Sequence, residues 1–137
     1  MKTTGGCFCG AITYAAEIDE RRVGICHCRD CQIFSGSAFR AAVVVAPDSF
    51  TITKGTPRTF DKTADSGNVR RMLFCGECGT HLASTPSDPD SEGAFVSIRA
   101  ATSVDFASFP IAGELWCRSR LPWMPEIEGT VKIDGQR

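Results

Sequence analysis

The sequence predicts a mainly-β protein that folds as one domain over residues 1–137. Its 137 residues are the length of one ordinary domain. Short apolar segments alternate with polar residues at the two-residue period of β-strands. No segment shows the longer apolar periodicity of an extended amphipathic helix. We therefore expect roughly eight or nine short strands joined by turns.

The first half of the chain supplies five of these strands. They are residues 11–16, 21–25, 38–45, 49–53 and 58–61. The third becomes β-branched towards its end and stops at a Pro-Asp pair, and the fourth alternates until a glycine and a proline end it. A short helical turn is expected after Cys28, through Gln32 and Phe34.

The second half supplies four more strands and one long loop. The strands are residues 68–74, 80–84, 94–100 and 113–117. Residues 84–93 are rich in Ser, Pro, Asp and Gly, which predicts an exposed loop with several turns. The tail from Pro125 is expected to be partly loose.

Charge and hydropathy exclude several classes of function. The formal net charge is −1 and no long block carries one sign, so binding to nucleic acid through a basic face is not expected. The longest apolar run, 41–46, is far too short to cross a bilayer. No signal peptide is visible at the N-terminus, so we expect a cytoplasmic protein whose cysteines stay reduced.

Seven of the eight cysteines fall into three tight groups. The groups are Cys7 and Cys9; Cys26, Cys28 and Cys31; and Cys75 and Cys78. Buried structural cysteines would scatter along strands, and disulfides between such close neighbours would close strained loops. Clustered thiolates are the ligands of zinc, so we predict two zinc ions per chain.

The stretch FCGECGT at 74–80 has the form of a zinc knuckle, in which Gly76 and Gly79 let the backbone fold around a metal. A knuckle supplies two ligands and needs two more. Cys7 and Cys9 supply two, because residues i and i+2 of an extended segment point the same way, with Phe8 on the other side. We expect these four cysteines to hold a structural zinc.

That division leaves Cys26, Cys28 and Cys31 with no obvious fourth partner, which is typical of an open, catalytic zinc site. Two alternatives remain. The knuckle could pair with two of these three cysteines, which would leave the N-terminal pair idle. Cys117, otherwise a small buried hydrophobe, could be the fourth ligand.

Two histidines lie beside these groups. If 26–28 is extended, the His27 side chain lies opposite the two sulfurs; it is either a satisfied or exposed histidine or a proton shuttle beside the site. For His81, which follows the knuckle, we favour a structural role.

The motifs GGCFCGAITY, CHCRDCQIFSGSAF, RRMLFCGECGTHL, VSIRAATSVD and ELWCRSRLPWM together resemble the glutathione-dependent formaldehyde-activating (GFA) family, which includes centromere-protein-V-like proteins. The resemblance covers about residues 5–124. It implies an Mss4-like, mainly-β fold of several coiled sheets with zinc knuckles. It also implies a structural zinc on Cys7, Cys9, Cys75 and Cys78, and a catalytic zinc on Cys26, Cys28 and Cys31. Glu114 stands where the family often has a histidine.

The activity that the resemblance implies is that of a carbon–sulfur lyase, which joins formaldehyde to glutathione as S-hydroxymethylglutathione. The expected partner is thus a small thiol, glutathione, whose two carboxylates suit arginine. The candidate anchors are Arg29, Arg40, Arg70, Arg71, Arg118 and Arg120. The alternatives are a non-catalytic zinc module that binds another macromolecule and a thiol- or redox-responsive zinc protein.

Overall fold

The structure is a computed structural model and describes residues 1–136. Within this range it contains eleven strands and a single α-helix, α1, at Arg29–Ser35, so the mainly-β prediction is confirmed. The strands are β1 Lys2–Gly6, β2 Thr13–Glu17, β3 Val23–Cys26, β4 Arg40–Val45, β5 Phe50–Lys54, β6 Arg58–Thr63, β7 Val69–Phe74, β8 His81–Pro86, β9 Val96–Arg99, β10 Gly113–Leu115 and β11 Val131–Lys132. In this part of the chain no helix is long and apolar enough to span a membrane.

The strands form two sheets. The short sheet has three antiparallel strands in the order β1-β2-β5. The long sheet has eight strands in the order β11-β10-β3-β4-β9-β8-β7-β6. Its pairs are antiparallel except that β10 runs parallel to both β3 and β11. This order places the end of β3 beside the start of β4, where the central cysteines lie.

Each of the nine predicted strands corresponds to an observed strand, but several ends differ. Residues 20–22 form a 3₁₀ helix instead of the start of a strand, and the last predicted strand ends at Leu115. Strand β8 continues to Pro86, so the predicted loop at 84–93 begins later than expected. The tail from Pro125, expected to be partly loose, contributes β11 to the long sheet.

Two strands escaped prediction for physical reasons. Strand β1 reads KTTGG, which lacks large apolar residues, and it forms because its backbone pairs with β2 along its whole length. Gly5 lies where a Cβ atom would sit 2.4 Å from the ring of Tyr14, so only glycine allows this close approach. Strand β11 has two residues, which is too short for any periodicity to show.

The two sides of the long sheet differ in character. One side carries apolar residues that pair across neighbouring strands, such as Val43 with Ile98 and Ile98 with Ala83. These residues belong to the hydrophobic core, together with Tyr14 in β2 of the short sheet and Ile12, which directly precedes β2. The opposite side of the same strands is therefore free to carry polar groups.

Helix α1 begins directly after the central cysteines. Its N-terminal cap is Cys28, whose sulfur accepts a hydrogen bond from the backbone N–H of Cys31. It ends at Ser35 and is followed by the C-terminal cap Gly36, which adopts the left-handed conformation with φ of 64°. The predicted helical turn after Cys28 is thus confirmed as a seven-residue helix.

Candidate metal centres

Four cysteines from distant parts of the chain meet beyond the ends of β1 and β7. The sulfur atoms of Cys7, Cys9, Cys75 and Cys78 all lie within 4.8 Å of one another. The sulfur of Cys9 lies 3.7 Å from those of both Cys7 and Cys75. The structure therefore pairs the knuckle with the N-terminal cysteines and not with the central ones. Four sulfur atoms at this spacing can enclose one metal ion.

Local backbone geometry explains the knuckle. The backbone N–H of Cys75 donates to the carbonyl of Thr80 at 2.9 Å, and the N–H of Gly79 donates to the carbonyl of Cys75 at 2.8 Å. Gly79 has a φ of 76°, which a side chain would strain. At Gly76 a Cβ atom would come within 2.5 Å of the side chain of Arg58. The backbone conformation therefore favours glycine at position 79, whereas a side chain at position 76 would displace that of Arg58.

Hydrogen-bond donors point at the sulfur atoms of this group. The backbone N–H of Ile12 donates to the sulfur of Cys7 at 3.2 Å, and the hydroxyl of Thr80 lies 3.1 Å from the sulfur of Cys78. Hydrogen bonds from the side chain and then the backbone of Thr80 lower the pKa of the Cys78 thiol to about 5. Such donors favour the thiolate form that binds metal. Phe8, between the two N-terminal cysteines, is 94% exposed, as expected for the opposite side of the segment.

The central cysteines form a second group, which we call the triad: Cys26, Cys28 and Cys31. Their sulfur atoms also lie within 4.8 Å of one another. Cys26 is the last residue of β3, Cys28 is the N-terminal cap of α1, and Cys31 lies in the first turn of α1. Hydrogen bonds from the other two thiols lower the pKa of Cys28, and the charge of Arg40 contributes further.

No other described Cys, His, Asp or Glu joins the triad. Cys117, the alternative fourth ligand, lies outside the group; its thiol instead donates to the carbonyl of Glu114 at 3.5 Å. A set of three thiolates suits zinc, as does the set of four, because soft sulfur ligands favour this ion. The donor sets therefore fit two metal ions, one with a complete protein shell and one with a shell open to a further ligand.

His27 lies between two triad cysteines in sequence, but its side chain is completely buried and bonded elsewhere. Its Nε2 lies 3.0 Å from Oε1 of Glu114, and because a carboxylate can only accept, Nε2 is the donor. The His27 backbone is fixed as well: its N–H donates to Leu115, and its carbonyl accepts from the amide of Gln32. This geometry fits a positioning role better than the predicted proton shuttle.

Glu114 is the centre of a buried polar network that sequence analysis did not find. Besides His27, it accepts hydrogen bonds from the hydroxyl of Thr130 at 2.7 Å and the backbone N–H of Ile127 at 3.3 Å. Arg120 adds an ion pair at 3.4 Å. Burial alone would raise the pKa of this carboxyl, but the hydrogen bonds and the charge of Arg120 outweigh it and lower the pKa to about 2. The only available signal was the glutamate itself, at a position where the resembled family often has histidine.

His81 has the surroundings of a structural residue, as favoured from sequence. Its ring stacks at 5.9 Å on Phe74 and lies 5.3 Å from the ring of Phe34 on α1. Burial, followed by the charges of Arg99 and Arg40, lowers its pKa. It is therefore a neutral side chain at pH 7 that links the helix to the sheet.

Two of the six predicted arginine anchors lie on the polar side of the long sheet. Arg40 pairs with Cys26 across β3 and β4, and Ala42 pairs with Arg99 across β4 and β9. Paired residues project from the same side, and so do residues two positions apart on one strand. Cys26, Arg40 and Arg99 therefore share one side of the sheet. Sequence analysis missed Arg99, because only the strand register places it there.

Further along the same side, Ser97 pairs with Ser84. Arg70, the other predicted anchor, donates to the carbonyl and hydroxyl of Ser84 at 2.9 and 3.0 Å. Its guanidinium also donates to the carbonyl of Phe95 and stacks on that ring at 4.2 Å. We call this surface the arginine face; it consists of Arg40, Arg70, Ser84, Ser97 and Arg99.

Three of the four remaining predicted anchors are occupied elsewhere. Arg71 pairs with Asp61 at 2.9 Å, and Arg118 pairs with Asp134 at 3.3 Å. Arg120 belongs to the Glu114 network. Arg29 makes only a long contact of 3.5 Å to Gln32.

Comparisons with known proteins agree with these features. A protein-family model described as glutathione-dependent formaldehyde-activating enzyme matches residues 2–119. An uncharacterized lyase of Schizosaccharomyces pombe is 35% identical over 78 residues, which cover 57% of this chain and 53% of the relative. The match thus spans about half the length of that relative. The crystal structure of a Rhodobacter sphaeroides protein shares the fold, with a TM-score of 0.57 over 95% of this chain and 98% of that one, at 16% identity.

Proposed function

Because the chain belongs to the glutathione-dependent formaldehyde-activating enzyme family, we propose that it is a zinc-dependent carbon–sulfur lyase. Its reaction would be the addition of a small thiol, glutathione, to formaldehyde or a related small electrophile, and the reverse cleavage. The lyase name of the yeast relative supports the reaction class.

One observation carries the proposal. The triad gathers three sulfur atoms, and no further ligand from the described residues completes the group. A purely structural zinc site is normally closed by four protein ligands, as the other cysteine group of this chain could close one. An incomplete protein shell leaves a position for a ligand from solution.

The two cysteine groups would then have different roles, one structural and one catalytic. Cys7, Cys9, Cys75 and Cys78 would hold a zinc that joins the N-terminal segment to the end of β7 and stabilises the fold. Cys26, Cys28 and Cys31 would hold the zinc of the reaction. Zinc at the triad would lower the pKa of a thiol ligand, so that the thiol is ionised at neutral pH.

The chain's own residues prepare the triad for this role. The cap of α1 fixes Cys28 against the N–H of Cys31, and Gln32 and Glu114 fix His27 between two ligands. Ligands that are already in place lose little conformational entropy when a metal and a thiol bind.

The addition itself needs little further machinery. The sulfur of the thiolate forms a bond to the carbonyl carbon, and the electron pair of the C=O double bond moves to oxygen, which takes up a proton. Among the nearby candidates, His27 is buried against Glu114, and Asp30 is an ion-pair partner of Lys62 at 2.7 Å. We therefore assign the proton to water. Cleavage runs through the same steps in reverse.

Exchange spectroscopy tests the proposal. Nuclear magnetic resonance of a glutathione–formaldehyde mixture reports the rates of adduct formation and breakdown with and without zinc-loaded protein. We expect both rates to rise in the presence of the protein, and Cys28→Ser to remove the increase. If neither rate changes and no thiol binds the metal-loaded triad, the lyase assignment fails and a non-catalytic zinc module replaces it.

A further inference from the structure

The arginine face contains buried positive charge without matching negative charge from the protein. Arg40, Arg70 and Arg99 form no ion pair with any described Asp or Glu. Arg99 is only 6% exposed, and its Nη2 has no hydrogen-bond partner within residues 1–136. The same holds for the buried Nε of Arg40 and the buried hydroxyl of Ser97. Unpaired polar atoms inside a protein are costly, so such a cluster indicates a missing partner.

The thiolates of the triad supply part of the missing negative charge. Cys26 pairs with Arg40 across β3 and β4, and Arg99 lies on the same side of the sheet, so the triad is next to these cations. Three thiolates around a divalent ion carry a net charge of −1, whereas the three arginines carry +3. A charge of about +2 therefore remains, which corresponds to a ligand with two negative charges. A thiolate accounts for one of them.

The three arginines are not equally available to such a ligand. Arg70 is held by the carbonyl of Phe95 and by Ser84, and Arg99 is enclosed. Arg40 is half-buried, and its guanidinium makes no hydrogen bond to a described residue. It also stands directly across from Cys26 in the sheet, so it is the member of the arginine face next to the triad.

We propose that the arginine face binds a carboxylate of the thiol whose sulfur meets the triad, with Arg40 as the contact residue. This inference rests on the proposed function and specifies its substrates as mercapto-carboxylates. A guanidinium binds a carboxylate through two parallel hydrogen bonds, and the enclosed charge of Arg99 strengthens the attraction. Glutathione, with a thiol and two carboxylates, belongs to this class.

A matched pair of thiols tests the inference by binding alone. Calorimetry on the zinc-loaded full chain measures the affinities of 3-mercaptopropionate and its neutral isostere 3-mercaptopropionamide. We expect the native protein to bind the acid at least about tenfold more tightly than the amide, which is the ordinary strength of a charged hydrogen bond. Arg40→Gln should reduce this ratio to near one, with most of the loss in the affinity for the acid. Arg40→Lys should restore part of the preference, because it keeps the charge but not the two parallel donors.

Arg71→Gln is the matched control. Arg71 is on the same strand as Arg70 but pairs with Asp61 at the surface, so its loss should leave the preference intact. Equal affinities of the two thiols for the native protein would overturn the carboxylate site and leave the proposed lyase function standing. If Arg40→Gln weakened the binding of both thiols equally, the carboxylate site would also be overturned. Arg40 would then affect the triad and its metal ion, not the carboxylate.

If neither thiol binds the native protein, the proposed function fails, and glutarate decides the inference separately. This dicarboxylate has no thiol. Binding of glutarate that Arg40→Gln weakens and Arg71→Gln does not would support an anion site on the arginine face. Absence of glutarate binding in that case would overturn it.

Discussion

Nε2 of His27 lies 3.0 Å from Oε1 of Glu114, and neither side chain reaches solvent. The two residues are 87 positions apart in the chain. Their hydrogen bond therefore ties the Cys-His-Cys segment of the triad to β10 and, through Thr130, to the C-terminal segment. Removing one partner would leave a buried polar group without its hydrogen bond, which typically costs about 1–3 kcal/mol.

The stability of the protein should depend on the ionisation of Glu114. Its pKa is lowered to about 2 in the folded protein from an ordinary value of 4.5, so the carboxylate stabilises the fold above pH 4.5. This contribution falls as the pH drops from 4.5 towards 2. Glu114→Gln cannot titrate, so the difference in free energy of unfolding between native protein and variant should shrink by about 3 kcal/mol over that interval.

Urea unfolding at several pH values measures this difference. Glu126→Gln is a suitable control, because Glu126 also pairs with Arg120 but its side chain is 65% exposed. Its substitution should change stability by less than about 1 kcal/mol at any pH. A pH-independent difference between native protein and Glu114→Gln would show that the carboxylate is not held in its ionised form.

Cys75→Ser should lose one zinc and unfold at a lower temperature. Cys75 is buried, and its group joins residues 7–9 to the end of β7, so loss of the metal would release the N-terminal segment. We expect the midpoint of thermal unfolding to fall by roughly 10 °C or more. Metal analysis and calorimetry measure the two effects. Cys117→Ser, outside both groups, should keep both zinc ions, and a Cys75→Ser protein with unchanged metal and melting would refute the structural assignment.

Cys28→Ser should lose the other zinc and any thiol-adduct activity but keep the fold. Cys28 caps α1 by accepting the N–H of Cys31, and a serine hydroxyl can accept the same bond. The helix therefore keeps its cap when the sulfur is removed. Metal content should fall from two zinc ions to one, with a much smaller loss of thermal stability than in Cys75→Ser. Equal destabilisation by the two substitutions would mean that the triad is also structural.

A chelator should remove the two metal ions at different rates. An ion at the triad would have three protein ligands and an open position for an attacking chelator, whereas an ion at the other group would have four. We expect two kinetic phases of zinc release, measured with a coloured metal indicator, and only the slow phase in Cys28→Ser. A single phase for the native protein would contradict a difference in ligand number.

Sequence alone favoured the grouping of the cysteines that the structure shows, but it left open a pairing of the knuckle with two central cysteines. Cys7 and Cys9 form a pair at alternate positions, and Cys75 and Cys78 form a knuckle with its own turn, so local spacing and counting favour these four as partners. The structure brings the same four together and leaves the triad separate. Strand positions were also predictable in outline, because one side of most strands is apolar.

Other features depend on contacts that no local pattern contains. Arg99 joins the arginine face only because β9 pairs with β4 in one register, with Arg99 opposite Ala42. A shift of one residue would turn its side chain to the core. The partners of the buried Glu114 come from three separate parts of the chain, at His27, Arg120 and residues 127–130, the last in a tail that was expected to be partly loose. In both cases contacts between distant segments determine where the side chain lies, and the local sequence does not contain that information.

The separation of the core residues from the arginine face on opposite sides of the long sheet also bears on how this protein could diversify. Neighbouring positions on one strand, such as Ile98 and Arg99, belong to the hydrophobic core and to the arginine face separately. A gene library restricted to positions 40, 84, 97 and 99 would vary the chemistry offered to a ligand while every core side chain stays the same. Ligand preference could thus evolve in small mutational steps without repacking of the hydrophobic core.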